Sequence, residues 1–246
     1  TLSTFSRFAQ DAVYPYGSGG ANASFALITK NYMNMYGAKR EDFGKLCVAQ
    51  RDNALSIPYA MMKKKLTLDE YMSARPIADP IHLFDCVMPC AGAEAFLVCR
   101  ADTAKSLGLS GVRILSTVER HNAFTNDPIQ FRGGWALDIG ELWTMAGMKA
   151  DDVDLVETYD DYPVIMMMQI EDLGFCKKGE GPEFVRAQNF ANDGSFPHNT
   201  SGGQLSVGQA GAAGGFLGLV EAMRQLMSEP IGTPVPNAET ALVSGF

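Results

Sequence analysis

Residues 199–215 read NTSGGQLSVGQAGAAGG, with six glycines crowded around two glutamines, Gln204 and Gln209. Glycine at 202, 203 and 208 permits positive φ or close approach of the backbone to a ligand. Beyond Gln209 the apolar residues Phe216, Leu219, Val220, Met223 and Leu226 recur at helical spacing, with Glu221, Arg224 and Gln225 opposite. That spacing predicts a helix beginning near Gln209. Gly211, Gly215 and Gly218 fall on neighbouring turns and would let another backbone come close. A helix N-terminus presents unpaired N–H donors and partial positive charge. The Gln209 side chain and the Gly208 backbone are therefore expected to stabilise negative charge on a substrate oxygen. GQAGAAGG has neither the spacing of a dinucleotide fingerprint nor the lysine of a phosphate-binding loop.

Outward from this stretch the chain alternates. VDLVET (153–158) reads as a buried strand, and DDYPVIMMMQIEDLG (160–174) as a helix with Asp160 and Asp161 in its first turn, which suits the macrodipole. Beyond Pro163 that helix is apolar almost all round, so it should be buried on every side. GAEAFLVC (92–99), VRILSTVE (112–119) and ETALVSGF (239–246) read as further strands, and WALDIGELWTMAG (135–147) as a helix ending at Gly147. Strands alternating with helices imply crossover units and a mostly parallel sheet, the α/β class. Residues before about 88 show helical periodicity at 21–37, 39–51 and in LTLDEYMSARP, without strands, and predict a separate helical lobe.

Composition narrows the function. The 246 residues are 46% hydrophobic and 20% charged, with formal net charge −8. This balance argues against nucleic acid or an anionic membrane as partner. No apolar run approaches the roughly 20 residues that span a bilayer. Five cysteines without a CxxC pair and three scattered histidines, His82, His121 and His198, predict no metal site. They point to free thiols in a reducing compartment, the cytoplasm.

The motif NTSGGQLSVGQAGAAGG also resembles a stretch of the thiolase superfamily: Asn, two residues, a glycine pair, four residues, then Gly-His-Pro-x-Gly-Ala-x-Gly. VETYDDYPVIMMMQIEDLGFCKKGEG (156–181) is similar to the companion motif of the sterol-carrier-protein-type thiolase and lipid-transfer branch. ADPIHLFDCVMPCAGAEAFLV and ALVSGF resemble flanking segments in the family's order. The resemblance implies a layered αβα fold with a mostly parallel sheet and a helical loop domain. Residues 1–88 would form that loop domain over the CoA tail. Residues 89–103 would be the last strand of the N-terminal half, and 104–246 the C-terminal half, incomplete. A nucleophilic cysteine would precede Thr1 and a second catalytic cysteine would follow Phe246, as in a fragment.

Two departures bear on chemistry. The family's catalytic histidine falls on Gln209 and its proline on Ala210. Glutamine donates a hydrogen bond but cannot serve as a general base. The family's Asn or His that holds an oxyanion-hole water falls on Tyr159. Catalysis is thus expected from Tyr159, Gln209, Asn199 and Gly208, and substrate binding from Gly202, Gly203, His198 and Arg51. In an extended chain only one of His198 and Asn199 faces the site, Asn199 being favoured and His198 the alternative base. Lys63, Lys64, Lys65 and Arg75 join Arg51 as expected ligands of the CoA phosphates. Cys90, in PCAGAEAF, is an alternative nucleophile, while Cys86, Cys99 and Cys176 read as core thiols.

The implied activity is cleavage or formation of a C–C bond next to a CoA thioester, with a bulky, branched or aromatic acyl group. The alternatives are a retro-aldol lyase on a β-hydroxyacyl-CoA such as a steroid side chain, and a non-catalytic lipid-binding or scaffold protein. No cofactor is expected beyond CoA as substrate or product. The implied partners are an acyl-CoA, a second copy in a homodimer, and a small zinc-ribbon/OB-fold protein.

Overall fold

The structure, a computed structural model, describes residues 15, 17 and 20–245. The expectations for the rest of residues 1–19 and for Phe246 lie outside the described residues. The chain opens with α1 (Gly20–Tyr36), α2 (Arg40–Ala54) and α3 (Leu68–Ser73). Local chemistry starts two of them. Asp42 accepts the Lys39 N–H (2.8 Å) at the head of α2. Thr67 and Glu70 cap α3 reciprocally, Glu70 accepting the Thr67 N–H at 2.8 Å and Thr67 Oγ1 the Glu70 N–H at 3.2 Å. There follow β1 (Pro76–Ala78) and β2 (Ile81–His82), an antiparallel pair in a region where no strand is expected.

Next come α4 (Ala101–Leu107), α5 (Trp135–Ala146), closed by Gly147 at φ 65°, and β3 (Leu155–Glu157). Then α6 (Pro163–Asp172), α7 (Gly181–Ala187), α8 (Gly203–Val207), α9 (Leu217–Leu226) and β4 (Ala241–Val243) complete the order. β3 and β4 pair in parallel, Leu155 beside Ala241 and Glu157 beside Val243. On its other side Val156 forms a parallel bridge to His198. α9 packs on this pair, with Leu155, Ala222 and Val235 buried between.

Every residue of α6 is buried, as its apolar circumference requires. It fills the centre of the main core, where Met166, Met167 and Met168 meet Tyr32, Phe43, Leu46 and Tyr71 from the preceding helices. The helices before residue 88 therefore do not stand apart as a separate lobe. They cover α6 and share its core, because a helix apolar around most of its circumference needs neighbours on all sides.

Two expectations are corrected. Residues 92–99 and 112–119 form no strands: Leu97, Val98 and Ile114 are 75%, 72% and 69% exposed. A strand needs a partner to accept its ladder hydrogen bonds, and among the described residues none runs beside these segments. Only their upstream edge is tied in, by a parallel bridge between Pro89 and Gln209. The helix expected from Gln209 is also divided. α8 ends at Val207, a tighter 3-10 turn spans Gly211–Phe216, and regular α-helix resumes at Leu217. Glycine density explains the break, since each glycine gives up more backbone freedom in a helix than alanine does.

Candidate active site

The site is built where α8, the segment before α6 and the strand-like edge at Pro89 converge. Asp160 and Asp161 lie before the helix start at Pro163 rather than in its first turn, because the residue preceding proline is biased to extended backbone. Alternation then sends the two carboxylates apart. Asp160 turns inward and caps α8, accepting the N–H groups of Gln204 (3.0 Å) and Leu205 (3.1 Å) and the Gln50 amide (2.7 Å). Burial pushes its carboxyl up to about 6 in spite of those donors.

The glycine pair serves this packing. A Cβ on Gly203 would collide with Asp160 Oδ2 and Gln50 Nε2, and one on Gly202 would sit 2.6 Å from the Gln50 carbonyl of α2. Both are buried by this packing, Gly203 with an edge on the neighbouring cleft. Gly208, at φ 120°, lets Cys90 approach: a Cβ there would lie 2.8 Å from Cys90 Sγ. Its N–H donates to Gln204 O (3.1 Å), closing α8, and the Gln209 N–H donates to Met88 O (2.8 Å). The Gly208 backbone is therefore committed and is no free oxyanion donor. What this turn presents to the site is the Gln209 side chain.

That amide reaches across to the segment before α6. Gln209 Nε2 donates to Asp161 Oδ1 at 2.7 Å and lies 3.5 Å from the Tyr159 hydroxyl. The Tyr159 hydroxyl and the Asp161 carboxylate thus meet at one amide nitrogen. Burial and the neighbouring Asp161 charge push the phenol up to about 12. Burial also raises the Asp161 carboxyl, against the hydrogen bonds from Tyr159 and Gln209. Tyr159 is fixed from behind, because Gln169 accepts its N–H (3.1 Å) and donates to its carbonyl (2.7 Å). Asn199 holds the preceding residue, its Oδ1 accepting the Thr158 N–H at 2.8 Å. Asn199 adopts φ 45°, a conformation asparagine tolerates better than most side chains. Beside them Glu157, Tyr159, Asn199, Gly203, Gly214 and Ser244 line a small cleft.

Two expected binding residues face elsewhere. His198 is 1% exposed, packed between Phe190 and Phe196, with Nε2 2.8 Å from Thr158 Oγ1. Burial pulls its imidazole down to about 3, so it stays neutral in the core and is no base for a ligand. Arg51 is 6% exposed, donating to Ser206 Oγ (3.3 Å) and the Lys64 carbonyl (3.3 Å), so it ties α2 to α8 rather than meeting a phosphate. Lys63 folds back onto the carbonyls of Ile57 and Pro58, whereas Lys64, Lys65 and Arg75 are exposed. Cys99 is exposed, not a core thiol. Among the described residues no three His, Cys, Asp or Glu side chains are grouped to hold a metal ion, and no helix is long and apolar enough to cross a membrane.

Asp161 is the site residue that sequence reasoning missed, having been assigned to the helix dipole. The available signal was its spacing: two residues after Tyr159 in an extended stretch, it shares that residue's face.

A parallel pair beside a buried central helix, with a Gly-Gln turn set against a Tyr-Asp-Asp segment, is the thiolase-like fold, and the chain is similar to proteins of the thiolase superfamily. Residues 141–246 match the family described as thiolase C-terminal domain-like. The chain is 32% identical over 239 residues to the 17-hydroxy-3-oxo-4-pregnene-20-carboxyl-CoA lyase of Mycobacterium tuberculosis, covering 94% of this chain and 61% of that protein. It is 30% identical over 230 residues to the benzoylsuccinyl-CoA thiolase subunit BbsB of Thauera aromatica, covering 90% of this chain and 59% of the relative. The solved structure of an Ltp2-ChsH2(DUF35) aldolase superposes with a TM-score of 0.77 at 25% identity, covering 96% of this chain and 63% of that one. The chain thus spans about three fifths of the length of the curated relatives it matches.

Proposed function

We propose that this protein breaks or forms the C–C bond next to a CoA thioester, and that its reaction is the retro-aldol cleavage of a bulky β-hydroxyacyl-CoA. The observation that carries this reading is the Gln209 amide set against Tyr159 and Asp161. Thiolysis as the family performs it draws on a base at the position of Gln209, and an amide cannot cycle a proton. Retro-aldol cleavage has two different needs: an acceptor for the β-hydroxyl proton and a donor for the thioester oxygen, where negative charge grows as the bond breaks. Tyr159 meets the first need and Gln209 the second, with Asn199 positioning the Thr158–Tyr159 backbone. The names of two relatives, a steroid-acyl CoA lyase and an aldolase, agree with it.

Thiolysis is retained as a second reading by one observation, the Cys90 thiol lying against Gly208 beside Gln209, and by the relative named a thiolase subunit. CoA enters either reaction as part of substrate or product, with Lys64, Lys65 and Arg75 as its phosphate contacts. We assign the protein to a homodimer in the cytoplasm, its five free thiols suiting a reducing compartment. A small zinc-ribbon/OB-fold partner is proposed alongside, by analogy with the two-component name of the solved aldolase.

The test incubates full-length protein with β-hydroxyacyl-CoA and β-ketoacyl-CoA thioesters, with and without free CoA. Cleavage of the β-hydroxy ester without CoA supports the lyase. Cleavage of the β-keto ester only with CoA replaces it by thiolysis. Turnover of neither leaves the lipid-binding or scaffold alternative.

A further inference from the structure

A phenol whose ionisation is held up to about 12 is a poor base by itself near neutrality. It becomes competent if its own proton has somewhere to go at the moment it accepts another. Gln209 Nε2 lies 3.5 Å from the Tyr159 hydroxyl and holds Asp161 Oδ1 at 2.7 Å, so hydroxyl and carboxylate are brought together at one nitrogen. That contact keeps the carboxylate aligned, while the amide's second N–H points at the Tyr159 oxygen, from which it can turn to a substrate oxygen. The titratable groups around Asp161 are Tyr159 and Tyr162. Asp160, next in sequence, points its carboxylate away into α8. Among the described residues Asp161 has no ion-pair partner to hold it permanently charged. An acidic group so placed can lose and regain a proton during turnover, whereas Asp160, held by four hydrogen-bond donors, reads as structural.

We infer that Asp161 is the proton store of the site, exchanging one proton with the substrate through the Tyr159 hydroxyl. The step balances within substrate and protein. As the substrate O–H breaks, its proton passes to the Tyr159 oxygen and the phenolic proton passes to Asp161. The O–H electron pair forms the carbonyl of the ketone product, and the Cα–Cβ pair moves onto the thioester as an enolate, its oxygen accepting the Gln209 N–H. The proton on Asp161 then returns through Tyr159 to Cα, forming the C–H bond and restoring the carboxylate. Asp161 acts through Tyr159, so it is a positioning and proton-holding residue for a reaction whose outline rests on the proposed function.

The return step occurs with any acyl-CoA whose α-carbon can be enolised, and this separates the two claims. The probe is deuterium uptake at the α-carbon of 3-phenylpropionyl-CoA in D₂O, read by mass spectrometry on full-length protein. Wild type should wash in deuterium with a rate that falls toward acid through one ionisation. Asp161→Asn should exchange about 10²–10⁴-fold more slowly and lose that acid limb, the range expected for removing a general base. Asp161→Glu should recover part of the rate with the limb displaced, which a merely structural role would not produce. Where Asp161→Asn fails to fold, the displaced limb in Asp161→Glu carries the test. An Asp161→Asn protein with the wild-type rate and pH profile overturns the inference, as does a wild-type protein that takes up no deuterium. A requirement for free CoA in the cleavage assay refutes the lyase reading instead and leaves the exchange result standing.

Discussion

Replacing His198 with phenylalanine should reverse the order of stability between wild type and variant as pH falls. His198 sits neutral in the core, its pKa lowered by burial from 6.5 to about 3. The unfolded chain takes up a proton below 6.5 and the folded one does not until about 3, so His198 lowers stability progressively across that window as pH falls. From pH 6.5 to pH 5 the loss is 1.5 units, about 2 kcal/mol at 1.36 kcal/mol per unit. Phenylalanine removes this penalty and keeps the ring between Phe190 and Phe196, but forfeits the contact between the imidazole and Thr158 Oγ1. That loss is about 1 kcal/mol and does not depend on pH. The variant should therefore be less stable than wild type by about 1 kcal/mol at pH 8 and more stable by about the same amount at pH 5. Urea unfolding at pH 8, 6.5 and 5 measures both. Parallel pH profiles for the two proteins would show that His198 is solvated or charged in the fold and would refute the reasoning.

Gly203→Ala should lower the melting temperature markedly, because the residue sits at φ 60° and its Cβ would strike Asp160 and Gln50. About 1–3 kcal/mol is expected from the backbone conformation alone, and an unchanged melting temperature would contradict the packing role. Glu157 is buried beside Glu221 and held well above the usual carboxylate range by burial first and that neighbour second. Its raised folded pKa means that stability is lost as pH climbs above the unfolded value, so Glu157→Gln should gain on wild type from pH 5 to pH 8 in urea titrations, and a gain that shrinks instead would reverse the assignment. Arg51→Met should destabilise the protein, since Arg51 links α2 to α8, while leaving the KM for an acyl-CoA ester unchanged; a raised KM would return Arg51 to the phosphate site. Gln209→Ala should cut turnover about 10²–10³-fold with little change in substrate affinity, the usual consequence of removing one oxyanion donor.

Legibility in the sequence followed how locally each feature is determined. The run Val164–Ile170, apolar but for Gln169, read as a buried helix, and the spacing of Leu219, Val220, Met223 and Leu226 kept its helical meaning once the glycines had ended. Gly147 marked the end of α5 because a left-handed terminus suits that residue alone. The strands at 92–99 and 112–119 were misread because an apolar run states that a segment will pair, not that its partner is beside it. His198 and Arg51 were misassigned for a related reason. Composition marks them as polar, but whether a polar side chain faces a ligand or completes the core depends on neighbours brought from far along the chain, Phe190 and Thr158 for one, Ser206 and Lys64 for the other.

The glycines around Gln209 illustrate how such long-range fitting produces a site. Gly202 and Gly203 let α8 lie flush on α2, and that contact lets Asp160 reach the N–H groups at the head of α8. With Asp160 anchored, alternation turns Tyr159 and Asp161 to the opposite face. Gly208 then closes α8 and turns the chain so that Gln209 pairs with Met88 and Cys90 through its backbone while its amide meets that face. Gly202 and Gly203 thus act first through packing, and the Gly208 N–H is held within α8. Their effect on chemistry passes through the position of Asp160, so Gly203→Ala should disturb the Tyr159–Asp161–Gln209 contact as well as the fold. In the deuterium-exchange assay any Gly203→Ala protein that remains folded should be slowed in the same direction as Asp161→Asn, whereas a folded, fully exchanging variant would uncouple the packing from the site.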